Sequence, residues 1–237
     1  MDKVLIVKMG TTISSLAERR GDFDDWVAAP VGIDPGRIRV VKPYAGEELP
    51  SPSMLSGVII TGSHDMVTDR KEWSERTAAW IPLVIKSGVP LLGICYGHQL
   101  IAHAMGGKVG PNPFGSEFGT VEVRLTKNSA KDPLFREFPS IIRVHESHTQ
   151  SVLSLPPGAT FLASSSKDPH QTFSINDTAW GVQFHPEFDA DIVGTYIKEC
   201  ADELISEGLN PLALLDTVED TSYGENLLRR FGEMLAP

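Results

Sequence analysis

The stretch Val89–Gly107 reads VPLLGICYGHQLIAHAMGG, and its organisation determines how this part of the chain folds. An apolar run stops at Cys95, which has one glycine two positions before it and another two positions after it. A helix-like spacing of apolar residues follows at once. We therefore predict a strand over Val89–Ile94, a tight turn at Cys95 and then a helix, because glycine permits sharp turns and close backbone approach.

Cys95 is the candidate nucleophile of this arrangement. The pattern G-x-C-x-G matches the nucleophile elbow of G-x-S-x-G enzymes, with sulfur in place of the hydroxyl. The helix that follows presents N–H groups and the positive end of its dipole, which favours thiolate over thiol. The backbone N–H of Tyr96, directly after the nucleophile, is a predicted oxyanion donor. The alternative is an inert cysteine, because free cysteines are among the most buried residues.

The candidate base lies in the segment Ala179–Phe188, which reads AWGVQFHPEF. A strand-like run ends at His185, and Glu187 lies two positions later, on the same side of an extended chain. Cys95, His185 and Glu187 would then act as nucleophile, base and orienting carboxylate in acyl transfer. A structural histidine is the alternative for His185. His148 is a competing base, but it lacks a following carboxylate at a useful spacing.

Three segments, GICYGHQ, GVQFHPE and the IITGS of residues 59–63, resemble the class I (triad) glutamine amidotransferases, especially the glutaminase part of GMP synthase. The resemblance runs from about Val4 to about Ile205. It implies an enzyme that hydrolyses the side-chain amide of glutamine through a cysteine thioester and releases ammonia. No cofactor is expected.

The resemblance also implies further site residues. The loop that begins at Thr61 would supply the second oxyanion donor, the backbone N–H of Gly62, although relatives have a glycine pair and a proline there. Gln99, one helical turn after Cys95, would bind the polar end of the substrate. The segment that would hold the amino-acid head of the substrate comprises Ser147, His148 and Thr149.

Short apolar runs alternate with helix-like segments in the first half of the chain. The predicted elements are strand Val4–Met9, helix Ser14–Ala29 ending near Pro30, strand Ile38–Val41, strand Ser56–Thr61, helix Glu72–Ser87 ending at Gly88, and strand Val89–Ile94. This order predicts an α/β fold with an open, mostly parallel sheet and helices on both faces, which the resemblance specifies as flavodoxin-like. Alternating runs between Phe118 and Phe184 predict antiparallel additions to the sheet.

With 237 residues and no repeat or linker, the chain is predicted to form one domain, residues 1–237. A helical C-terminal extension is expected at about residues 210–237, as a packing helix by default or as a docking element. Two cysteines far apart in sequence predict no disulfide framework and a reducing compartment, the cytoplasm. The N-terminus has no signal-peptide pattern and no apolar stretch reaches membrane-spanning length, so no membrane association is expected.

The remaining composition narrows the expected ligands. A net charge of −10 indicates no excess of positive charge that could bind the phosphates of nucleic acid. No metal site is predicted, because the seven histidines are scattered and His98 and His103 lack H-E-x-x-H spacing. The chain has no glycine-rich phosphate loop of the kind that a synthetase domain carries. We therefore expect any ammonia to pass to a partner synthetase subunit.

Three functions remain open from the sequence. The leading one is a free-standing glutaminase of the amidotransferase type. The second is a γ-glutamyl peptidase or transferase, which would cleave small γ-glutamyl peptides through the same acyl enzyme and which the width of the pocket beside Cys95 would distinguish. The third is a non-enzymatic regulatory protein on the same fold, against which the intact set of Cys95, His185 and Glu187 argues.

Overall fold

A computed structural model describes residues 3–235 of the chain, and the parts of the predicted domain and extension at residues 1, 2, 236 and 237 lie outside the described residues. The strands are β1 Lys3–Val7, β2 Ile38–Val41, β3 Leu55–Ile60, β4 Leu91–Ile94, β5 Lys108–Pro111, β6 Glu117–Leu125, β7 Ile141–His148, β8 Gln150–Ser154, β9 Thr160–Ser164, β10 Thr172–Ile175 and β11 Ala179–Val182. The helices are α1 Ser14–Arg20, α2 Phe23–Val31, α3 Glu72–Ser87, α4 Tyr96–Ala104, α5 Ala190–Glu199, α6 Ala201–Ser206, α7 Pro211–Leu215 and α8 Tyr223–Leu235.

Nine of these strands form one mixed sheet in the order β2-β1-β3-β4-β11-β10-β9-β6-β7. The neighbours from β2 to β11 are parallel, whereas β10, β9, β6 and β7 pair in antiparallel fashion. Strands β5 and β8 form a small antiparallel sheet of their own. The predicted α/β fold, with a parallel sheet and antiparallel additions, is confirmed.

Helices cover both faces of the parallel part of the sheet, as predicted. Successive side chains of β1 show this, because Val4 and Ile6 pack in a core with α2 and α8, whereas Leu5 and Val7 pack in a second core with α3 and α4. A strand buried on both faces is expected to be a continuous apolar run rather than an alternating one. Within residues 3–235, no helix is both long and apolar enough to cross a membrane.

The helix predicted over residues 14–29 is in fact two helices. Gly21 has a φ of 79° and ends α1, and Asp22 begins α2 with a capping box. Pro30 does not end the helix, because α2 continues for one more residue and stops at Gly32, whose φ is 68°. A left-handed glycine is a common helix terminator, and here it lies two residues beyond the proline.

The C-terminal extension packs against the sheet and α2 through α8. A Cβ atom on Gly232 would lie 1.8 Å from the carbonyl oxygen of Val31, so the two helices meet at backbone distance. At the start of α8, a Cβ on Gly224 would lie 2.6 Å from the carbonyl oxygen of Pro186. The apolar face of α8 is buried and comprises Leu227, Leu228, Phe231 and Leu235. Helix α8 of the extension therefore packs against the core, and a docking role of the extension remains untested.

Candidate active site

Cys95 lies in the turn between β4 and α4, at the carboxyl end of the parallel strands. Its φ of 48° and ψ of −98° place it in a region that non-glycine residues rarely adopt. A Cβ on Gly93 would lie 2.5 Å from the carbonyl oxygen of Gly97, and a Cβ on Gly97 would lie 2.4 Å from that of Ile60. Both glycines of the G-x-C-x-G pattern are thus required by close backbone approach.

His185 follows β11 and is oriented by Glu187. The Nδ1 atom of His185 lies 2.8 Å from Oε1 of Glu187. Because a carboxylate only accepts, Nδ1 carries the proton and Nε2 faces the sulfur of Cys95. The imidazole stacks on Phe188 with ring centroids 4.0 Å apart, and a Cβ on Gly62 would lie 3.0 Å from its Cε1 atom. The ring is therefore held on two sides.

The electrostatics of His185 favour its protonated form. Burial lowers the pKa of His185, but the charges of Glu187 and Cys95 and their hydrogen bonds to the ring outweigh burial and raise it to about 10. At neutral pH the ring is then an imidazolium next to the sulfur. An adjacent imidazolium stabilises a thiolate, which is the nucleophilic form of cysteine. The arrangement can therefore attack a carbonyl carbon and deliver a proton to a leaving group.

A cavity of about 490 Å³ opens beside Cys95. This volume is within the range of small-molecule sites. Predicted site residues in its lining are Cys95, Tyr96, Gln99, Ser147, His148 and Thr149. Gly62 does not line the cavity and lies against the His185 ring, whereas the next residue, Ser63, does line it.

Gln183 is a site residue that the sequence analysis missed. Its Nε2 atom lies 3.5 Å from Sγ of Cys95, and its Oε1 accepts a hydrogen bond from Nε2 of Gln99 at 3.0 Å. The Gln99 amide also donates to the carbonyl oxygen of Gln150 at 2.9 Å, so both of its donors are used within the protein. Local spacing could have pointed to Gln183, because it lies two positions before His185, although both residues follow the end of β11 at Val182.

A second missed group comes from three distant segments, and two of its members, His64 and Tyr196, line the cavity. Nε2 of His64 lies 3.1 Å from the hydroxyl oxygen of Tyr196, which in turn lies 2.8 Å from Oγ1 of Thr12. Burial lowers the pKa of His64, and the neighbouring His185 lowers it further. His64 is therefore a neutral hydrogen-bonding group at neutral pH. No spacing in the sequence predicts this contact.

His148, the competing base, has both ring nitrogens engaged. Its Nδ1 atom lies 2.9 Å from the carbonyl oxygen of Gln150. Its Nε2 atom lies 3.3 Å from Oε2 of Glu117 and 3.5 Å from Oε2 of Glu146. The expectation concerned only a carboxylate in the residues that follow His148. Glu117 lies opposite His148 on the neighbouring strand β6, and Glu146 lies two positions before His148 on β7. Glu117, Glu146 and His148 each have one possible metal-ligating atom close to those of the other two. The sequence analysis considered only histidine spacing, predicted no metal site and did not reveal this group.

Comparison with known proteins finds a family model and several curated relatives that match this chain. The family model for glutamine amidotransferase class I matches residues 38–200. A glutamine-hydrolysing GMP synthase subunit from Thermococcus kodakarensis is 40% identical over 124 residues, which are 48% of this chain and 62% of that protein. Gamma-glutamyl peptidase 4 of Arabidopsis thaliana is 35% identical over 140 residues, 58% of this chain and 55% of that protein. The chain thus spans less than two thirds of either relative.

A crystal structure of a glutamine amidotransferase from Thermotoga maritima has the same fold throughout. It superposes with a TM-score of 0.78 at 25% sequence identity, and the alignment covers 100% of both chains. The matched region of the family model contains the elbow at Cys95 together with His185 and Glu187. On this sequence match and this fold, the chain belongs to the class I glutamine amidotransferase family.

Proposed function

We propose that this chain hydrolyses the side-chain amide of glutamine with Cys95, His185 and Glu187 as its catalytic triad. The observation that carries the proposal is the position of His185, which is oriented by Glu187 and interacts with the sulfur of Cys95 in the strained turn. Nucleophile, base and orienting group in this relation are the recurring requirement of acyl transfer. The family to which the chain belongs supports glutamine as the substrate.

The reaction would proceed through a thioester. The thiolate of Cys95 attacks the amide carbon, and the carbonyl oxygen becomes an oxyanion. The imidazolium of His185 then gives its proton to the amide nitrogen, the carbon–nitrogen bond breaks and ammonia leaves. The neutral ring next removes a proton from water, which attacks the thioester and releases glutamate and the thiolate.

The oxyanion would be stabilised by two backbone N–H groups. The first is the N–H of Tyr96, which is the residue after the nucleophile at the start of α4. The second belongs to the turn after β3, where Gly62 remains the predicted donor and Ser63 is the neighbour that lines the cavity. The Oγ1 atom of Thr61 donates to the carbonyl oxygen of Gly62 at 3.0 Å, which fixes the peptide between Gly62 and Ser63.

Substrate binding is proposed for the opposite wall of the cavity. The backbone of Ser147, His148 and Thr149 at the end of β7 would hold the amino-acid head, because all three residues line the cavity. For Gln99 the structure favours an indirect role alongside the predicted contact. Its amide donors hold Gln150 and Gln183, and Gln183 approaches the sulfur of Cys95.

Selective labelling of Cys95 tests the proposal. A glutamine-like electrophile should alkylate Cys95 and abolish glutamate formation, because the sulfur lies beside the imidazolium of His185. Mass spectrometry of peptides from the labelled chain locates the adduct. The Cys200→Ser variant is the matched control and should react and turn over like the wild type. Labelling at Cys200 together with full activity of Cys95→Ala would refute the assignment.

A γ-glutamyl peptidase is the second candidate, because the cavity continues beyond the elbow. Its lining reaches Glu199, Cys200 and Glu203 on α5 and α6, which leaves space beyond the amide for a larger leaving group. The likeness to gamma-glutamyl peptidase 4 agrees with this candidate. A comparison of glutamine, γ-glutamyl peptides and glutathione with the purified chain separates the two. Slow turnover of glutamine with fast turnover of the peptides would favour the peptidase.

A synthetase subunit that consumes the ammonia is proposed as a partner, because the relatives include a glutamine-hydrolysing subunit of GMP synthase. We propose the cytoplasm as the location, since Cys95 acts as a free thiol and both cysteines of the chain are unpaired. A non-enzymatic regulatory role is less well supported, because it gives no reason for the geometry of His185. Co-purification of a tagged chain with a synthetase subunit would test the partner.

A further inference from the structure

A buried cluster of ionisable side chains lies outside the triad, between β6 and β7. It consists of Glu117, Glu146 and His148, whose exposed fractions are 3%, 0% and 4%. One ligand atom of each residue lies within 4.8 Å of those of the other two. Glu117 faces His148 across the strand pair, and Glu146 precedes His148 by two positions on the same side of β7. The proposed catalytic reaction makes no use of the two carboxylates.

The hydrogen bonds of His148 determine which form of its ring faces the carboxylates. Its Nδ1 atom lies 2.9 Å from the carbonyl oxygen of Gln150, and a carbonyl can only accept, so Nδ1 carries a hydrogen. In the neutral ring, Nε2 then has a lone pair. This lone pair points at Oε2 of Glu117 and Oε2 of Glu146, at 3.3 and 3.5 Å. With the ring in this neutral form, three electron-pair donors converge, and a cation placed between them could bind all three.

The surrounding protein supplies no such charge. Within residues 3–235, no lysine or arginine forms an ion pair with Glu117, Glu146 or the nearby buried Asp168. Neither oxygen of Glu146 forms a hydrogen bond of regular geometry among these residues, although the side-chain amide of Gln171 lies close enough to interact with it. A buried carboxylate without a charged partner destabilises the folded protein.

We propose that Glu117, Glu146 and His148 bind a divalent transition-metal ion, with Zn²⁺ as the best fit. Imidazole nitrogen and carboxylate oxygens are ligands that Zn²⁺ accepts, in tetrahedral sites with bonds of about 2.0–2.1 Å. Ligand atoms at that bond length in a tetrahedron lie about 3.3 Å apart. The separations of Nε2 from the two carboxylate oxygens, 3.3 and 3.5 Å, match this value.

The groups around the three ligands also have the arrangement of a metal site. A metal-bound histidine usually donates its other N–H to a carbonyl or carboxylate, as Nδ1 of His148 does to Gln150. The carboxylate of Glu117 is oriented by Ser165 and Gln171, each 2.9 Å from Oε2, and an ion bound at this oxygen would replace one of these two hydrogen bonds. His148 also lines the catalytic cavity, which gives the ion a route to the site.

The ion would stabilise the segment that the proposed reaction uses for substrate binding. One ligand from β6 and two from β7 would be tied to one centre directly beside Ser147 and Thr149. Its role is structural, because the triad at Cys95 needs no metal for its chemistry. The inference therefore does not rest on the proposed function and can fail independently of it.

Metal analysis of the untagged chain tests the inference. After growth with added Zn²⁺ and dialysis, elemental mass spectrometry should find about one ion per chain. Added Zn²⁺ should raise the melting temperature of the chelator-treated protein, because a ligand that binds the folded state stabilises it. The Glu146→Gln variant, which keeps the side-chain shape, should bind Zn²⁺ at least about tenfold more weakly.

Two controls make the outcome specific. Glu122→Gln changes an exposed glutamate on the same strand β6 and should bind like the wild type. Cys95→Ala should keep the ion, and loss of the ion from this variant with retention in Glu146→Gln would move the site to the triad and overturn the inference. The inference is refuted if the wild-type chain holds no ion and its melting temperature does not respond to Zn²⁺. A proton on Glu146 would then occupy the position proposed for the ion. The wild-type measurements decide this even if a variant fails to fold.

Discussion

The backbone of Cys95 combines strain with exposure of the sulfur to the cavity. A non-glycine residue at a φ of 48° and a ψ of −98° is strained by about 1–3 kcal/mol, and the surrounding contacts must hold it there. The glycines on both sides supply those contacts, since they allow β4, α4 and β3 to approach at backbone distance. The sequence alone indicated this turn because its residue types are so restricted.

Residues whose role depends on strand pairing could not be found in the same way. Glu117 and His148 are 31 positions apart, and only the register of β6 and β7 makes them neighbours. The contact between His64 and Tyr196 joins residues 132 positions apart. Glu187 was identifiable because its partner His185 is two positions away on one strand end. Local spacing therefore predicts pairs within an element and does not predict contacts between distant segments.

Substitutions in the triad should separate the base from the orienting group. His185→Ala should abolish turnover, because His185 is the proton-carrying group that interacts with the sulfur of Cys95. Glu187→Gln should keep a measurable remnant and lose about 10⁴ in kcat, the scale for an orienting carboxylate in a serine triad. Steady-state kinetics with glutamine, or with the better γ-glutamyl substrate, measures both. Full activity of His185→Ala would indicate His148 as the base, despite the hydrogen bonds that occupy its ring.

Among the elements, those with clear end signals were predicted best. Helix α3 has the predicted bounds Glu72–Ser87 and ends at Gly88 in a left-handed conformation. The first helical segment was predicted as one helix because a single glycine, Gly21, does not reliably interrupt a helical pattern. Its positive φ and the cap at Asp22 divide the segment. The predicted one-domain organisation remains a prediction, although α8 is packed into the core that it shares with β1.

Helix α8 should influence the triad through its first turn. Alanine at Gly224 would place a Cβ 2.6 Å from the carbonyl oxygen and 2.7 Å from Cα of Pro186, the residue between His185 and Glu187. We expect Gly224→Ala to lower kcat and to destabilise the protein by about 1–3 kcal/mol, because backbone must move. Kinetics and denaturant unfolding measure the two effects.

The matched control for this substitution is Gly194→Ala in helix α5. A Cβ there would meet Cδ2 of Leu215 at 3.8 Å, which is an ordinary contact. The control should keep wild-type activity and gain up to about 1 kcal/mol, since alanine favours helix over glycine. Equal activity of the two variants would show that the start of α8 does not position His185 and Glu187.

At the scale of the whole molecule, the order of the motifs along the chain was enough to predict the class of fold. Parallel strands deliver Cys95 from β4 and His185 from β11, and these strands are neighbours although they are far apart in sequence. The antiparallel strands lie at one side of the sheet. The periodicity of apolar residues predicts that these segments are strands, but it does not predict which strands pair with each other. Those strands carry Ser147 and His148, with Thr149 directly after them, so the proposed substrate-binding role of these residues was predicted by resemblance alone.

The stability of the whole protein should depend on the protonation of His185. The pKa of this residue is raised from 6.5 in the unfolded chain to about 10 in the folded protein. An imidazolium paired with a thiolate binds no more protons than the neutral ring and thiol of the unfolded chain, so the folded state binds more protons only above about pH 8.5, where an unfolded thiol ionises. The stabilisation is therefore fully present below about pH 8.5 and is lost as the pH rises through about 10. We expect the free energy of unfolding to fall over this interval by up to about 2 kcal/mol more in the wild type than in Glu187→Gln, which lacks the charge that raises the pKa most. Denaturant titrations at a series of pH values measure the difference, and the exposed-site variant Glu122→Gln should follow the wild type. Parallel pH profiles for the wild type and Glu187→Gln would mean that Glu187 does not hold His185 in its protonated form, and the thiolate–imidazolium pair would then lose its main support.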